Sequence, residues 1–156
     1  MQDTELLQQL VDDIGTARAL RELTDAEYQA LAERNLGELE RLLNQKQALL
    51  ALLGQHSALR TQTLAKAQLG ADREGLATFA AGSAVGRDIL RQAEQLDGIL
   101  ADCRKANDRN GKLIRANQSA VGSMLKILQG SNQTPDLYDR RGSAAKSSNN
   151  RPLSQA

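Results

Sequence analysis

Side chains that could perform chemistry are few in this chain. His56 is the only histidine and Cys103 is the only cysteine. One histidine cannot supply a two-histidine metal site or an HExxH motif. One cysteine cannot form an internal disulfide or a multi-cysteine metal cluster. Since a lone histidine on a leucine-rich helix is usually a surface or half-buried residue, His56 gives little support to catalysis.

The cysteine and the carboxylates also have ordinary explanations. Cys103 falls on an apolar seam, which favours a buried small hydrophobe over a reactive thiol, although Arg104 and Lys105 follow it. A di-iron bundle would need Glu-x-x-His twice, and neither GxxxxGK[ST] nor GxGxxG occurs. We therefore predict no catalytic, cofactor-binding or metal site and no small-molecule substrate, and we interpret carboxylates on helices as solvated: Glu33, Glu38 and Glu40.

A heptad seam positions Cys103. Between Ala84 and Leu128 apolar or small residues return every three or four positions without an intervening proline, which is typical of a helix packed along another. At 1.5 Å per residue a helix of about 45 residues would be roughly 65–70 Å long and needs an equally long partner. The seam consists of Ala93, Leu96, Leu100, Cys103, Asn107, Asn110, Ile114, Asn117, Val121, Met124 and Leu128.

Three asparagines on the seam leave two interpretations open. Each would cost a few kcal/mol if it were buried without a partner. Asn107, Asn110 and Asn117 therefore either pair across the helices and fix their register, or face outward. In the second case another protein could cover this end of the helix.

The late part of the same helix carries more apolar surface than one neighbouring helix can bury. The N-terminal helix or a dimer partner could cover the surplus, or a different protein could bind it, for which methionine is well suited. The residues concerned are Leu113, Ile114, Val121, Met124, Leu125, Ile127 and Leu128.

Composition favours packed helices. Of the 156 residues 40% are hydrophobic but only 2% are aromatic, so a core must be built from Leu, Ile, Val and Ala. No run alternates as strands would. A net charge of +1 with mixed signs gives no broad footprint for nucleic acid. No apolar run is long enough to span a bilayer and the N-terminus does not resemble a signal peptide, so the cytoplasm is the expected location.

The periodicities predict an all-α fold. An amphipathic helix from Thr4 to about Leu23 precedes two long antiparallel helices, Asp25 to about Leu69 and Ala84 to about Leu128. Thr24 and Glu27 could form a capping box that starts the second helix, or could lie inside one continuous helix. Two apolar stripes on the second helix indicate more than one neighbour.

Glycines punctuate the connection between the long helices. We predict a short helix around Arg73 to Ala80, carrying Phe79, and Ser83 as the N-cap of the last helix. After Gly130 the composition becomes rich in Ser, Asn, Gln and Arg. Such a segment cannot bury enough apolar area to offset the conformational entropy that it would lose on ordering. The expected organisation is a helical bundle or coiled-coil domain over 1–130, built on a long antiparallel helical hairpin, and a disordered tail over 131–156.

Three stretches resemble the FlgN family of flagellar export chaperones. They are the leucine-rich LGELERLLNQKQALLALL (Leu36 to Leu53), the asparagine-rich NGKLIRANQSAVGSMLKIL (Asn110 to Leu128) and the tail motif YDRRG (Tyr138 to Gly142). The resemblance covers essentially the whole chain, and the asparagine-rich helix leading into the Tyr-x-x-x-Gly tail is its most specific part.

The resemblance implies a cytoplasmic, non-enzymatic chaperone of flagellar type III secretion. Such chaperones bind the disordered C-terminal segments of the hook–filament junction proteins FlgK and FlgL and deliver them to the export gate protein FlhA. It also implies that Tyr138 docks at the gate. The implied client-binding residues are Leu113, Ile114, Asn117, Val121, Met124, Leu125 and Leu128.

Two other classes of protein stay open at this point. A structural coiled-coil protein would use the asparagine-bearing seam to form a homodimer. An enzyme would have to act without the motifs discussed above, through His56 or Cys103.

Overall fold

The computed structural model describes residues 1–132, apart from the side chains of Val121, Ser131 and Asn132. Over this range the regular elements are four α-helices: α1 Gln2–Glu33, α2 Leu36–Lys66, α3 Arg73–Ala81 and α4 Gly86–Asn132. The prediction of an all-α fold built on long antiparallel helices is confirmed.

The boundary between the first two helices lies later than the sequence patterns indicate. The prediction of a helix beginning at Asp25 is wrong, because α1 continues to Glu33 and α2 begins at Leu36. Thr24 does not act as a cap: its hydroxyl donates to the carbonyl of Leu20 at 2.8 Å inside the helix. The alternative of one continuous helix through Thr24 is the correct one.

A glycine-free turn ends α1. Arg34 adopts the left-handed conformation with φ 56°, and the backbone N–H of Asn35 donates to the carbonyl of Ala30 at 2.9 Å. This bond gives a partner to a carbonyl that the end of the helix leaves without an intrahelical hydrogen bond. The side chain of Asn35 then accepts from the N–H of Glu38 at 3.1 Å and caps α2, as asparagine does well.

Polar contacts fix the directions of the long helices. Glu27 of α1 pairs with Lys46 of α2, and Asp13 of α1 pairs with His56 of α2. The earlier residue of α1 meets the later residue of α2, so the two helices are antiparallel. Between α1 and α4, the carbonyl of Ala17 accepts from Cys103 and that of Thr24 accepts from Asn110, so these two helices run parallel. Consequently α2 is antiparallel to both.

The main apolar core lies between α1, α3 and α4. The sequence patterns predict a first helix that ends at about Leu23, but α1 continues to Glu33, is as long as α2 and supplies most of the core. The continuous buried cluster consists of Leu6, Leu10, Ile14 and Ala17 of α1, Ala80 of α3, and Ile89 and Leu96 of α4. In α2 the buried residues are Leu42, Lys46 and Leu64.

The connecting segment forms the predicted short helix, α3. Asp72 caps it by accepting from the N–H of Gly75 at 2.7 Å, and Phe79 packs against the core. Gly75 is required by close approach, since a Cβ there would lie 1.9 Å from the carbonyl oxygen of Gly70. The prediction of a helix carrying Phe79 is confirmed.

Ser83 does not cap the last helix as predicted, because α4 begins at Gly86. A side chain at position 86 would lie 1.8 Å from the carbonyl oxygen of Ala80, so the chain turns tightly before the helix starts. The hydroxyl of Ser83 accepts from the N–H of Val85 at 3.1 Å and donates to Asp3 at 2.6 Å. It therefore joins the start of α1 to the α3–α4 turn.

The chain divides into two compact units, Met1–Ile114 and a second unit that begins at Arg115. The first contains α1, α2, α3 and the first part of α4. In the second, the described part is the remainder of α4, which extends to Asn132. Most of the tail that we predicted to be disordered lies outside the described residues. None of the described helices is long and apolar enough to cross a membrane.

Candidate partner-binding surfaces

The end of α4 carries large apolar side chains at the surface. Met124 is 62% exposed, Leu125 53% and Ile127 71%, and Leu128 is also exposed. Steps of three and four residues along a helix place side chains on neighbouring parts of its surface. This segment therefore presents an apolar strip that can contact a partner.

The remaining predicted client-binding residues differ in how exposed their side chains are. Ile114 is exposed, whereas Leu113 and Asn117 are half-buried. Val121 lies within α4, but its side chain is outside what the structure describes. The prediction of a client-binding surface from Leu113 to Leu128 is not tested by these positions and stays a prediction.

Two of the three seam asparagines pair across the helices. Asn110 is buried, and its amide donates to the carbonyl of Thr24 at 2.8 Å and to Glu27 at 2.7 Å. Lys46 donates to Glu27 at 3.1 Å and to the side-chain oxygen of Asn107 at 2.9 Å. For Asn107 and Asn110 the structure supports the interpretation that they fix register, because this network joins α1, α2 and α4, with Asn107 at its exposed edge.

A second buried polar cluster joins α1 to α2. Asp13 is completely buried. Its Oδ1 lies 2.6 Å from Nδ1 of His56, and its Oδ2 accepts from the Arg60 guanidinium at 2.5 Å. His56 is therefore a half-buried partner of a buried carboxylate. This agrees with the ordinary interpretation of a lone histidine.

Cys103 is a buried residue of the α1–α4 interface. Its thiol donates to the carbonyl of Ala17 at 3.5 Å. Burial raises the pKa of the Cys103 thiol, which disfavours the thiolate that a nucleophile or metal ligand needs. Among the described residues, no group of three or more His, Cys, Asp or Glu side chains could hold a metal ion.

A basic cleft lies between α1 and α4 in the first unit. It has a volume of about 560 Å³ and is lined by Tyr28, Lys105, Asp108, Arg109, Lys112 and Leu113. The Arg109 guanidinium lies 4.2 Å from the centre of the Tyr28 ring and pairs with Asp25 at 3.1 Å. Sequence patterns did not indicate this cleft, because Tyr28 and the cations are far apart in the chain and meet only through α1–α4 packing.

These surfaces belong to a chain whose residues 1–146 match the FlgN protein family. The chain belongs to the FlgN family. The match spans all four helices of the FlgN-family fold described above and extends beyond the described residues. The predicted family membership is therefore confirmed.

A solved structure supports the same assignment for this FlgN-family chain. The chain is similar to a Pseudomonas aeruginosa protein, named as a flagella synthesis protein FlgN, whose crystal structure was determined at 1.48 Å resolution. The sequences are 41% identical, the match covers 80% of this chain and 95% of that protein, and the TM-score is 0.67. A comparison with curated proteins gave no significant match.

Tyr138, the predicted gate-docking residue of this FlgN-family chain, lies outside the described residues. The apolar strip of late α4 and the basic cleft between α1 and α4 are surfaces of the described part that can contact partners. The two polar clusters hold the helices together, and Asp13, Glu27, Lys46 and Asn110 within them are buried.

Proposed function

We propose that this chain is a cytoplasmic, non-enzymatic export chaperone of the flagellar type III secretion system. It binds the C-terminal segments of the hook–filament junction proteins FlgK and FlgL and delivers them to the export gate protein FlhA. Family membership supports the flagellar role, and the exposed strip on late α4 supports capture of a protein segment.

The apolar strip is the observation that carries the capture step. Covering a half-exposed Met, Leu or Ile side chain contributes about 1 kcal/mol. Met124, Leu125 and Ile127 together would therefore supply a few kcal/mol, before the cost of ordering a flexible client. An amphipathic client segment that lays its apolar face along such a strip uses a common mode of peptide recognition.

Delivery is assigned to the tail. An aromatic residue buries about 150–250 Å² and can anchor a transient contact in a partner pocket. In the proposed mechanism α4 holds the client while Tyr138 contacts FlhA. Capture and delivery then use different residues and can be measured separately.

Purified chain mixed with the C-terminal segments of FlgK and FlgL tests capture directly. We expect each segment to form a complex by isothermal titration calorimetry, and we expect FlgK and FlgL to co-purify with the tagged chain from the source cytoplasm. A segment of the same length and composition in scrambled order is the control. Absence of binding to both native segments would contradict the proposal.

Self-association is the alternative, and one observation favours it. Leu36, Leu43 and Leu50 of α2 are exposed and recur every seven residues, as in a coiled-coil seam. Multi-angle light scattering separates the two functions. A stable dimer that does not bind FlgK or FlgL segments would favour a structural coiled-coil protein, whereas a chaperone forms a complex with the segment.

A further inference from the structure

The basic cleft between α1 and α4 has uncompensated positive charge. Its three cations, Lys105, Arg109 and Lys112, follow one face of α4 at intervals of four and three residues. Arg109 is already paired with Asp25. Within the described part of the chain neither Lys105 nor Lys112 forms an ion pair, and Asp108 is the single acidic residue in the lining.

The cleft is also preorganised. The guanidinium of Arg109 is held by Asp25, by the side-chain oxygen of Asn110 at 3.1 Å and by the Tyr28 ring. Asn110 in turn belongs to the buried network that joins three helices. A partner that binds here therefore meets a fixed central cation and an ordered aromatic ring, which lowers the ordering cost of association.

An apolar floor accompanies the charges. Tyr28 is 36% exposed and Leu113 is half-buried at the edge of the cleft. Inorganic phosphate would satisfy the cations but leave this apolar surface uncovered. The net charge of +1 provides no extended basic face of the kind that nucleic acid needs.

We propose that this cleft binds an acidic segment of a protein partner in which an apolar side chain lies between two carboxylates. Lys105 and Lys112 are seven residues apart, or about 10 Å along the helix. In an extended peptide the side chains at positions i, i+2 and i+4 lie on one face, so two carboxylates four residues apart are separated by about 13 Å. The flexible lysine side chains can span the difference between these two distances. The apolar side chain between them then contacts Tyr28 and Leu113.

This site goes beyond the proposed capture of FlgK and FlgL. Leu113 is common to the cleft and the proposed client surface, but Lys105 and Lys112 belong to the cleft alone. Substituting the two lysines therefore tests the acidic-segment site without removing an apolar side chain of the client surface.

The test measures binding of fluorescein-labelled twelve-residue peptides by fluorescence anisotropy. The probes carry two aspartates three, four or seven residues apart with a leucine between them. Matched peptides have asparagine in place of aspartate. We expect the best acidic peptide to bind the full chain, to bind more weakly as salt is raised, and to bind at least about fivefold more tightly than its asparagine counterpart.

The variant K105Q/K112Q should weaken binding of that peptide about five- to tenfold, as expected for two exposed ion pairs. The control R87Q/R104Q removes two exposed charges from the same helix outside the cleft and should change binding less than about twofold. Circular dichroism checks that both variants remain folded. Equal losses in the two variants would overturn the proposal by showing nonspecific attraction.

Two further outcomes would also overturn it. One is that no acidic peptide binds with a Kd below about 1 mM. The other is that inorganic phosphate, or a single-stranded oligonucleotide, binds at least as tightly as the best peptide and with the same dependence on Lys105 and Lys112. Loss of FlgK binding would leave the peptide result unchanged, so the two proposals fail separately.

Discussion

Lys46 places a charged group at a position where a leucine-rich helix would ordinarily bury an apolar side chain. It is 7% exposed and Glu27 is 5% exposed. Their ion pair is satisfied further by Asn107 and Asn110, one on each partner. A buried pair of this kind adds little net stability over an apolar replacement, but removal of one member leaves an uncompensated charge.

Replacing Lys46 alone should therefore be costly. We expect Lys46→Met to lower the free energy of unfolding by about 3 kcal/mol, measured by urea denaturation. The double variant E27Q/K46M should recover part of that loss, because a glutamine at position 27 leaves no buried charge and still accepts from Asn110. Lys66→Met, at an exposed lysine in the last turn of α2, is the control and should cost less than about 1 kcal/mol. A change in K46M as small as in the control would contradict a buried pair.

Asp3 gives a prediction about pH. The hydroxyl of Ser83, followed by the N-terminal ammonium, lowers the pKa of Asp3 from its usual 3.8 to about 2. Because the pKa is lower in the folded chain, the stabilisation is fully present above about pH 4. It is lost as the pH falls towards 2.

Ser83→Ala should raise the pKa of Asp3 towards 3.8, measured from the side-chain carboxyl carbon shift by NMR titration. Between about pH 4 and pH 2 the free energy of unfolding of the variant should also fall less than that of the parent. Ser123→Ala, at an exposed serine of late α4, should leave the Asp3 titration unchanged. An unaltered Asp3 pKa in S83A would show that the hydroxyl does not hold this carboxylate.

At the scale of elements, α4 combines two kinds of helix surface. Its first part is buried through Ile89, Leu96, Cys103 and Ala106, which lie three to seven residues apart along one face. Its last part exposes Met124, Leu125 and Ile127. The same three-four periodicity therefore serves core packing in one stretch and an exposed strip in the other.

The variant V121D/L125D tests the exposed strip. We expect it to weaken binding of FlgK and FlgL segments at least about tenfold while helicity stays nearly intact, because Leu125 is exposed and a charge there costs little folding energy. Calorimetry and circular dichroism are the measurements. The control S123D/Q129D adds the same charge at exposed polar positions of the same segment and should retain binding. Unfolding of V121D/L125D would instead identify this stripe as core.

At the scale of the whole molecule, capture and delivery are proposed to use different stretches of the chain. The first unit, Met1–Ile114, holds the buried polar clusters and the main core. Late α4 belongs to the second unit. The predicted gate-docking residue, Tyr138, follows the described residues.

Tyr138→Ala should leave thermal stability and client affinity close to those of the parent chain. We expect it to weaken binding of the client-loaded chain to FlhA and to lower secretion of FlgK and FlgL, because the aromatic anchor is lost. Tyr138→Phe, which keeps the ring, should bind FlhA nearly as well as the parent. Unchanged FlhA affinity in Y138A would place docking elsewhere, and loss of client binding would make Tyr138 part of the capture surface.

The sequence by itself determined the fold class, the short helix with Phe79 and the family. Helix periodicity is a local property, and Leu, Ala, Glu, Gln, Lys and Arg favour helices wherever they occur in the chain. It also indicated that Cys103 would be buried, because its position on the seam follows from spacing alone. The match to the FlgN family rests likewise on the order of residues.

Tertiary structure decided which faces of these helices are core. The end of α1 at Arg34 depends on a left-handed turn and the cap at Asn35, whereas Thr24 and Glu27 serve packing with Lys46 and Asn110. Likewise α2 leaves leucines exposed at positions 36, 43 and 50, although its apolar stripes predicted burial. Periodicity shows that a helix has an apolar face, but which neighbour covers that face depends on residues distant in the chain, and only their packing brings them together.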